Sequence, residues 1–268
     1  MASRKEQKEA ARQRRLAEEQ AHAARAQRTR RMSMLGGVLV VVIVVVVVLV
    51  VVSSGGGGGG GGQAVAAGSK QATKTTKTVD ALLKGIPQSG TTLGNPHARV
   101  TVTEFGDLVC PVCQTFALGA ENQLIANEVR TGKAKLVYRG LETASSIANG
   151  SMYVPTQTAM RAAGQQKKAW NYIETFYHEQ QSEDTGYVTT GFLQNIAKQV
   201  TGLNFGKWDS DRGSSTLANL VNQDTNAAAS QNFTATPTLV VQGPVSQAKP
   251  ISGLPTYAAL QSEIKSVS

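Results

Sequence analysis

Fifteen consecutive Val, Leu and Ile residues, from Val38 to Val52, constrain this chain more than any other feature. Extended back through Gly37, Gly36 and Leu35 to Met34, the run is nineteen residues without a charge. At about 1.5 Å rise per residue it makes roughly 28 Å of helix, close to the hydrocarbon thickness of a bilayer. Valine is a mediocre helix former in water, but in lipid the backbone must satisfy its own hydrogen bonds, so helix prevails. A cleaved signal peptide fits less well. The segment Met1 to Arg31 is long for an n-region, and the small-residue site Ala64-Val65-Ala66 lies far beyond the apolar run. Residues 34–52 are therefore expected to be an uncleaved transmembrane helix.

Charge sets its expected orientation. Arg25, Arg28, Arg30 and Arg31 precede the span, whereas Ser53, Ser54 and a run of eight glycines follow it. Basic flanks stay in the cytoplasm, so the bulk of the chain is expected outside the cell membrane, in a single-pass arrangement. Residues 1–33 then form a basic cytoplasmic tail, either solvated or resting on anionic lipid. Residues 53–84, rich in Gly, Ser, Thr and Lys, read as a flexible linker with a reach of roughly 30 Å. Residues 85–268 form the folded part.

The net charge of +9 is misleading until it is located. Ten basic and four acidic side chains lie in residues 1–31, while residues 85–268 carry thirteen of each sign. The folded part is neutral overall, which argues against a nucleic-acid partner, since phosphate binding needs concentrated Lys and Arg.

Within that part, Val100-Thr-Val-Thr-Glu-Phe105 alternates and is β-branched, and reads as a strand. Cys113, Phe116, Ala117, Ala120, Leu124 and Ile125 recur at helical spacing, with Gly132 beyond the helix end. Lys135–Arg139 and Thr238–Val241 read as further strands, with a short strand near Ile251 and a last helix from Tyr257 to about Val267. Between Gly140 and Pro237 the pattern is helical around Trp170, Ile173 and Phe176, then Phe192–Val200, then Leu217–Val221. That stretch is several times longer than a plain crossover, so an inserted helical subdomain is expected at about 141–232.

Cys110 and Cys113 are the chain's two cysteines, spaced C-x-x-C where a strand gives way to a helix. Unpaired N–H groups and the positive dipole end at a helix start stabilise a thiolate at Cys110. Pro111 suits the first helical turn, where its missing N–H is not needed. Cys113 lies one turn on, placed to resolve a mixed disulfide formed at Cys110. Other readings are a zinc site, which needs two more ligands with His97 the nearest histidine, a structural disulfide, a poor staple across four residues, and a pair of inert thiols. No metal is expected.

Glu104 shares a strand face with Val100 and Val102. An acid on an apolar face needs a partner or a task. It reads either as a buried carboxyl exchanging protons with Cys113 or as a strand-end acid paired with Arg139. Thr236-Pro237 opens the third strand, where proline is allowed. Trp170, Phe176 and Tyr177 read as helical core, and Asp107 as a turn residue.

The run Val102-Thr-Glu-Phe-Gly-Asp-Leu-Val-Cys-Pro-Val-Cys113 followed by Phe116 resembles the active-site region of DsbA-like thiol-disulfide oxidoreductases, more closely the membrane-anchored members of actinobacteria and other Gram-positive bacteria. Leu93–Val100 and Thr234-Ala-Thr-Pro-Thr-Leu239 fit the same family, and the resemblance covers roughly residues 79–268. It implies an α/β thioredoxin-like fold with an inserted helical subdomain, and a cis Pro237 facing the cysteines. It also implies that Thr236 offers backbone hydrogen bonds to an extended substrate, and that Glu104 is the superfamily's buried acid. No cofactor is implied. The implied partners are exported proteins with thiols and a membrane reoxidant of the DsbB or VKOR type. Strongly oxidising members often carry Pro-His between the cysteines, and this chain has Pro111-Val112. Valine brings neither charge nor a hydrogen bond to the thiolate, so a weaker oxidant is expected. A reductase or isomerase using the same residues, and a thioredoxin-fold binding or chaperone module, are the rival readings.

Overall fold

The computed structural model describes residues 65–149 and 152–268. The expected tail, the span at 34–52 and the first part of the expected linker lie outside the described residues. Among the described residues, no helix is long and apolar enough to cross a membrane.

The sheet has six strands in the order β1-β2-β4-β3-β5-β6. They are β1 (Gln88–Ser89), β2 (Thr92–Leu93), β3 (Val100–Gly106), β4 (Ala134–Gly140), β5 (Thr238–Gln242) and β6 (Ile251–Ser252). Only β3 and β4 run parallel, with Val100 opposite Ala134 and Glu104 opposite Tyr138. The other neighbours are antiparallel, and β5 places Leu239 opposite Glu104. Parallel neighbours need a crossover. Here it is a helical stretch containing α2 (Pro111–Phe116) and α3 (Asn122–Leu124), with π-helical turns at Ala117–Glu121 and Ile125–Val129.

β3 buries Val100, Val102 and Glu104 on one face and Phe105 on the other, with Thr101 and Thr103 half-buried. Val100 and Val102 join the main core with Cys113, Phe116, Leu124, Trp170 and Phe176. Phe105 joins a smaller cluster with Leu141, Ala228 and Val240, and meets Phe233 edge to face at 5.1 Å.

Between β4 and β5 lie α4 (Ala144–Asn149), α5 (Tyr153–Gly164), α6 (Ala169–Glu179), α7 (Thr190–Gln199), α8 (Phe205–Asp211) and α9 (Ser215–Ser230). α6 is buried nearly all round, which suits a helix packed by neighbours on every side. The closing helix α10 spans Tyr257–Val267, with Thr256 as N-cap.

The expected linker at 53–84 is corrected over its second half. Lys70–Leu83 forms helix α1, capped by the Ser69 hydroxyl, which accepts from the Ala72 amide at 3.1 Å. Lys70, Lys74 and Lys77 face solvent, whereas Ala72, Thr75, Val79 and Leu83 are buried. The helix packs on α6 and α7. Asp80 on it accepts from the Thr201 hydroxyl at 2.7 Å. A polar composition conceals an apolar stripe at helical spacing, and burial of that stripe holds the helix in place.

Candidate active site

Cys110 sits as the N-cap of α2, in extended conformation, with Pro111 following at the first helical position. The backbone leads there because Pro111 fixes a helical φ without needing an intrahelical donor. The Cys110 amide donates to the Asp107 carbonyl at 3.0 Å, closing the turn. Cys110 is 7% exposed, Cys113 is fully buried, and both thiols are free. Val112 between them is 37% exposed, an apolar side chain at the mouth of the site.

The Thr236–Pro237 peptide bond is cis. It brings the Thr236 carbonyl to 3.7 Å from the Cys110 sulfur. The structure thus gathers Cys110, Pro111, Val112, Cys113, Thr236 and Pro237 at one place, with Glu104 behind them.

The two sulfurs differ in their acidity. The Cys110 thiol is lowered to about 6, chiefly by a hydrogen bond from Cys113. Burial opposes the shift, while Thr236 and the backbone amides of Cys113 and Val112 assist it. Burial pushes the Cys113 thiol well up, and the neighbouring Cys110 and Glu104 push it further. Glu104 is fully buried, and burial raises its carboxyl to about 7, with Cys110 adding to the rise and Glu121 opposing it. Arg139 does not pair with Glu104. Its guanidinium bonds Asp224 on α9 at 2.7 Å, and Asp224 also pairs with Arg161. The strand alternation that turns Glu104 inward leaves Arg139 on the opposite face.

Asp107, read from sequence as a turn residue, does more. Its carboxylate accepts from the Val109 amide at 3.0 Å, the Thr143 amide at 3.0 Å, the Ser145 amide at 2.8 Å and the Ser145 hydroxyl at 2.5 Å. This buried acid ties the active-site turn to the loop after β4. Gln180, just beyond α6, donates to the carbonyls of Leu108 at 2.7 Å and Cys110 at 3.2 Å. Gln114 returns the link, donating to the Tyr177 carbonyl at 2.7 Å. An Asp three residues before the first cysteine was the available sequence signal for Asp107. Gln180 left none, because its contact joins segments seventy residues apart. Among the described residues, no group of three or more His, Cys, Asp or Glu side chains is arranged to hold a metal.

A family model described as Thioredoxin matches residues 88–265. Disulfide bond formation protein D of Bacillus subtilis (strain 168) is 26% identical over 163 residues, which is 61% of this chain and 70% of that protein. The crystal structure of BdbD from Bacillus subtilis, in its oxidised form, superposes with a TM-score of 0.57 at 23% identity, covering 67% of this chain and 95% of that one. DsbA2 of Pseudomonas aeruginosa superposes with a TM-score of 0.56 at 21% identity, covering 69% and 97%. The structural likenesses establish the fold, and the family match spans well over half of the chain. The chain belongs to the thioredoxin family, as a DsbA-like thiol-disulfide oxidoreductase.

Proposed function

We propose that this protein forms disulfide bonds in exported proteins, tethered by a span at 34–52 with its catalytic part outside the cell membrane. The observation that carries the exchange chemistry is the split between the sulfurs, Cys110 lowered to about 6 and Cys113 raised well above the ordinary thiol range. A low thiol pKa makes Cys110 both the better leaving group and the sulfur that is ionised at neutral pH.

In the forward direction a substrate thiolate attacks Cys110 of the oxidised pair. The S–S bond breaks, its electrons go to the Cys113 sulfur, and that sulfur takes a proton from Glu104. The substrate's second thiolate then attacks its own sulfur in the mixed disulfide and expels Cys110 as a thiolate. The substrate is oxidised and the enzyme is left as a dithiol. A membrane partner of the DsbB or VKOR type would reoxidise it. An extended substrate segment would pair with the backbone at Thr236, beside Pro237.

A reductase or isomerase direction is the second reading, and Val112 favours it. The Cys110 value of about 6 falls between the values of about 7 for thioredoxin and about 3.5 for DsbA. Equilibration of the full chain with glutathione decides the direction: a potential near thioredoxin's removes the oxidase reading. Expression of a Cys113→Ala form, followed by identification of what becomes covalently held at Cys110, tests exported substrates directly.

A further inference from the structure

Two buried acids have no part in the scheme above. Glu121 closes the first π-helical turn after α2, and Glu174 lies midway along α6. Both are fully buried, as Glu104 is. Apart from the contact of Glu104 with Glu121, none of the six carboxyl oxygens of these three residues has a hydrogen-bond partner. No Lys or Arg among the described residues pairs with them.

The three acids belong to one space behind Cys113. α6 packs against the 117–121 turn that carries Glu121. A Cβ placed on Gly106 would come within 2.9 Å of Glu104 Oε1 and 2.8 Å of Tyr138 Cε2, so acid and phenol fill the same volume beside the strand end. The Tyr177 hydroxyl, nearly one turn beyond Glu174, is also buried without a partner, whereas the Gln157 side chain meets the Tyr138 hydroxyl. The groups facing this space are Glu104 from β3, Asp107 from the turn after it, Cys110, Cys113 and Glu121 from the active-site helix, Tyr138 from β4, and Glu174 and Tyr177 from α6. All are acids, and no cation is among them.

Three carboxyls in such a space cannot all ionise, because each charge is taken from water and each repels the next. They share a small number of protons and titrate as a set. We propose that Glu121 and Glu174 are positioning residues for the step at Cys113: held protonated, they enclose Glu104 so that its proton passes to the Cys113 sulfur when that sulfur leaves and returns when it attacks. This deepens the exchange reading and rests on it. The ionisation pattern agrees. Burial raises all three, Glu121 opposes the rise at Glu104, and the Glu104 charge in turn raises Glu121 and Glu174. Glu104 thus ionises first, at about 7, against a Glu121 that still carries its proton, and Glu174 follows at about 8.

The test is single-turnover reduction of the oxidised full chain by dithiothreitol as a function of pH, corrected for ionisation of the reductant. The wild type should slow in two steps, the lower set by ionisation of Glu104 and the upper by that of Glu174. Glu121→Leu removes the proton that supports the Glu104 carboxylate. It should move the first step up by about one unit, roughly a tenfold rate difference at pH values above both midpoints. Glu121→Gln keeps a donor and should stay near the wild type. Glu174→Gln should abolish the second step. A merely structural role would change rates without moving either inflection, and that result overturns the proposal. If Glu121→Leu does not fold, infrared spectra of the wild type and Glu174→Gln decide. The wild type should lose protonated-carboxyl absorbance between pH 6 and 9 in two stages and the variant in one, whereas identical curves overturn the proposal. A wild type that exchanges normally while the variants track it sinks only this proposal. A wild type inert toward dithiothreitol sinks the exchange reading itself.

Discussion

The hydroxyls of Thr143 and Thr236 lie 2.6 Å apart, joining the loop after β4 to the loop that carries the cis proline. Thr143 also gives its amide to Asp107, whose main-chain carbonyl receives the Cys110 amide. One chain of hydrogen bonds therefore connects the proposed substrate-binding segment, the loop after β4 and the nucleophile's turn. The site's shape is set by this polar linkage as much as by the sheet beneath it.

Replacing Asp107 by Asn should loosen that linkage. The two oxygens of Asp107 serve three backbone amides and two hydroxyls, and an amide nitrogen in place of one oxygen sets donor against donor. Each orphaned buried donor costs about 1–3 kcal/mol. Urea unfolding should show a lower midpoint at unchanged slope. Exchange should slow even where the protein remains folded. Full activity in Asp107→Asn would show that the linkage is dispensable.

The acidity of Cys110 has a pH signature. In the reduced protein its folded value is about 6 against 9.0 for an unperturbed thiol. A depressed acid adds stability that is full above the unfolded value and is lost as pH falls through the folded one. The stability difference between the reduced wild type and reduced Cys110→Ser should therefore grow from pH 6 to pH 9. The rate of Cys110 alkylation should rise with a midpoint near 6, with Cys113 unreactive at neutral pH. A midpoint near the ordinary thiol value would contradict the site's electrostatics.

Val112→His should make the couple more oxidising. The position is partly exposed beside the thiolate, so an imidazole there can donate to it or bring charge. A fall of one unit in the Cys110 pKa corresponds to about 1.4 kcal/mol, or about 30 mV for a two-electron couple. Equilibration with glutathione measures this. A less oxidising variant would show that the residue between the cysteines does not tune this site in the expected sense.

Helix α1 is part of the folded body, so its removal should be felt. Leu83→Ala deletes a buried side chain of the main core and should destabilise by about 2–5 kcal/mol. A chain beginning at residue 85 should unfold at lower denaturant than one beginning at residue 65. Equal stability of the two would mean that α1 merely rests on α6 and α7.

The sequence was most readable where spacing and chemistry coincide. β3 and β5 follow from β-branched runs, β4 from the short apolar run between Lys135 and Arg139, α10 from its apolar spacing, and the cysteine pair from its motif. Glu104 was visible because a lone acid interrupts a period-two strand. Glu121 and Glu174 obey the same logic at helical spacing, Glu121 between Ala117 and Leu124, Glu174 between Trp170 and Tyr177. Their significance could not be read locally, because it arises only when α6 meets the active-site helix. β1 and β2 are two residues each, too short for a period to register. α1 was hidden because lysines and threonines outnumber its apolar positions. Asp107 looked like any turn acid, since four of its five donors come from residues beyond β4.

The end of α6 has a consequence for how this molecule can vary. Tyr177 and Gln180 both grip the nucleophile's turn or its helix, and Glu174 stands one turn earlier on the same rod. A helix advances about 100° per residue. Gain or loss of a single residue ahead of these positions would swing all three away from their partners together. The inserted helices can drift in composition on their wet faces, but the phase of α6 is a fixed dimension of the machine.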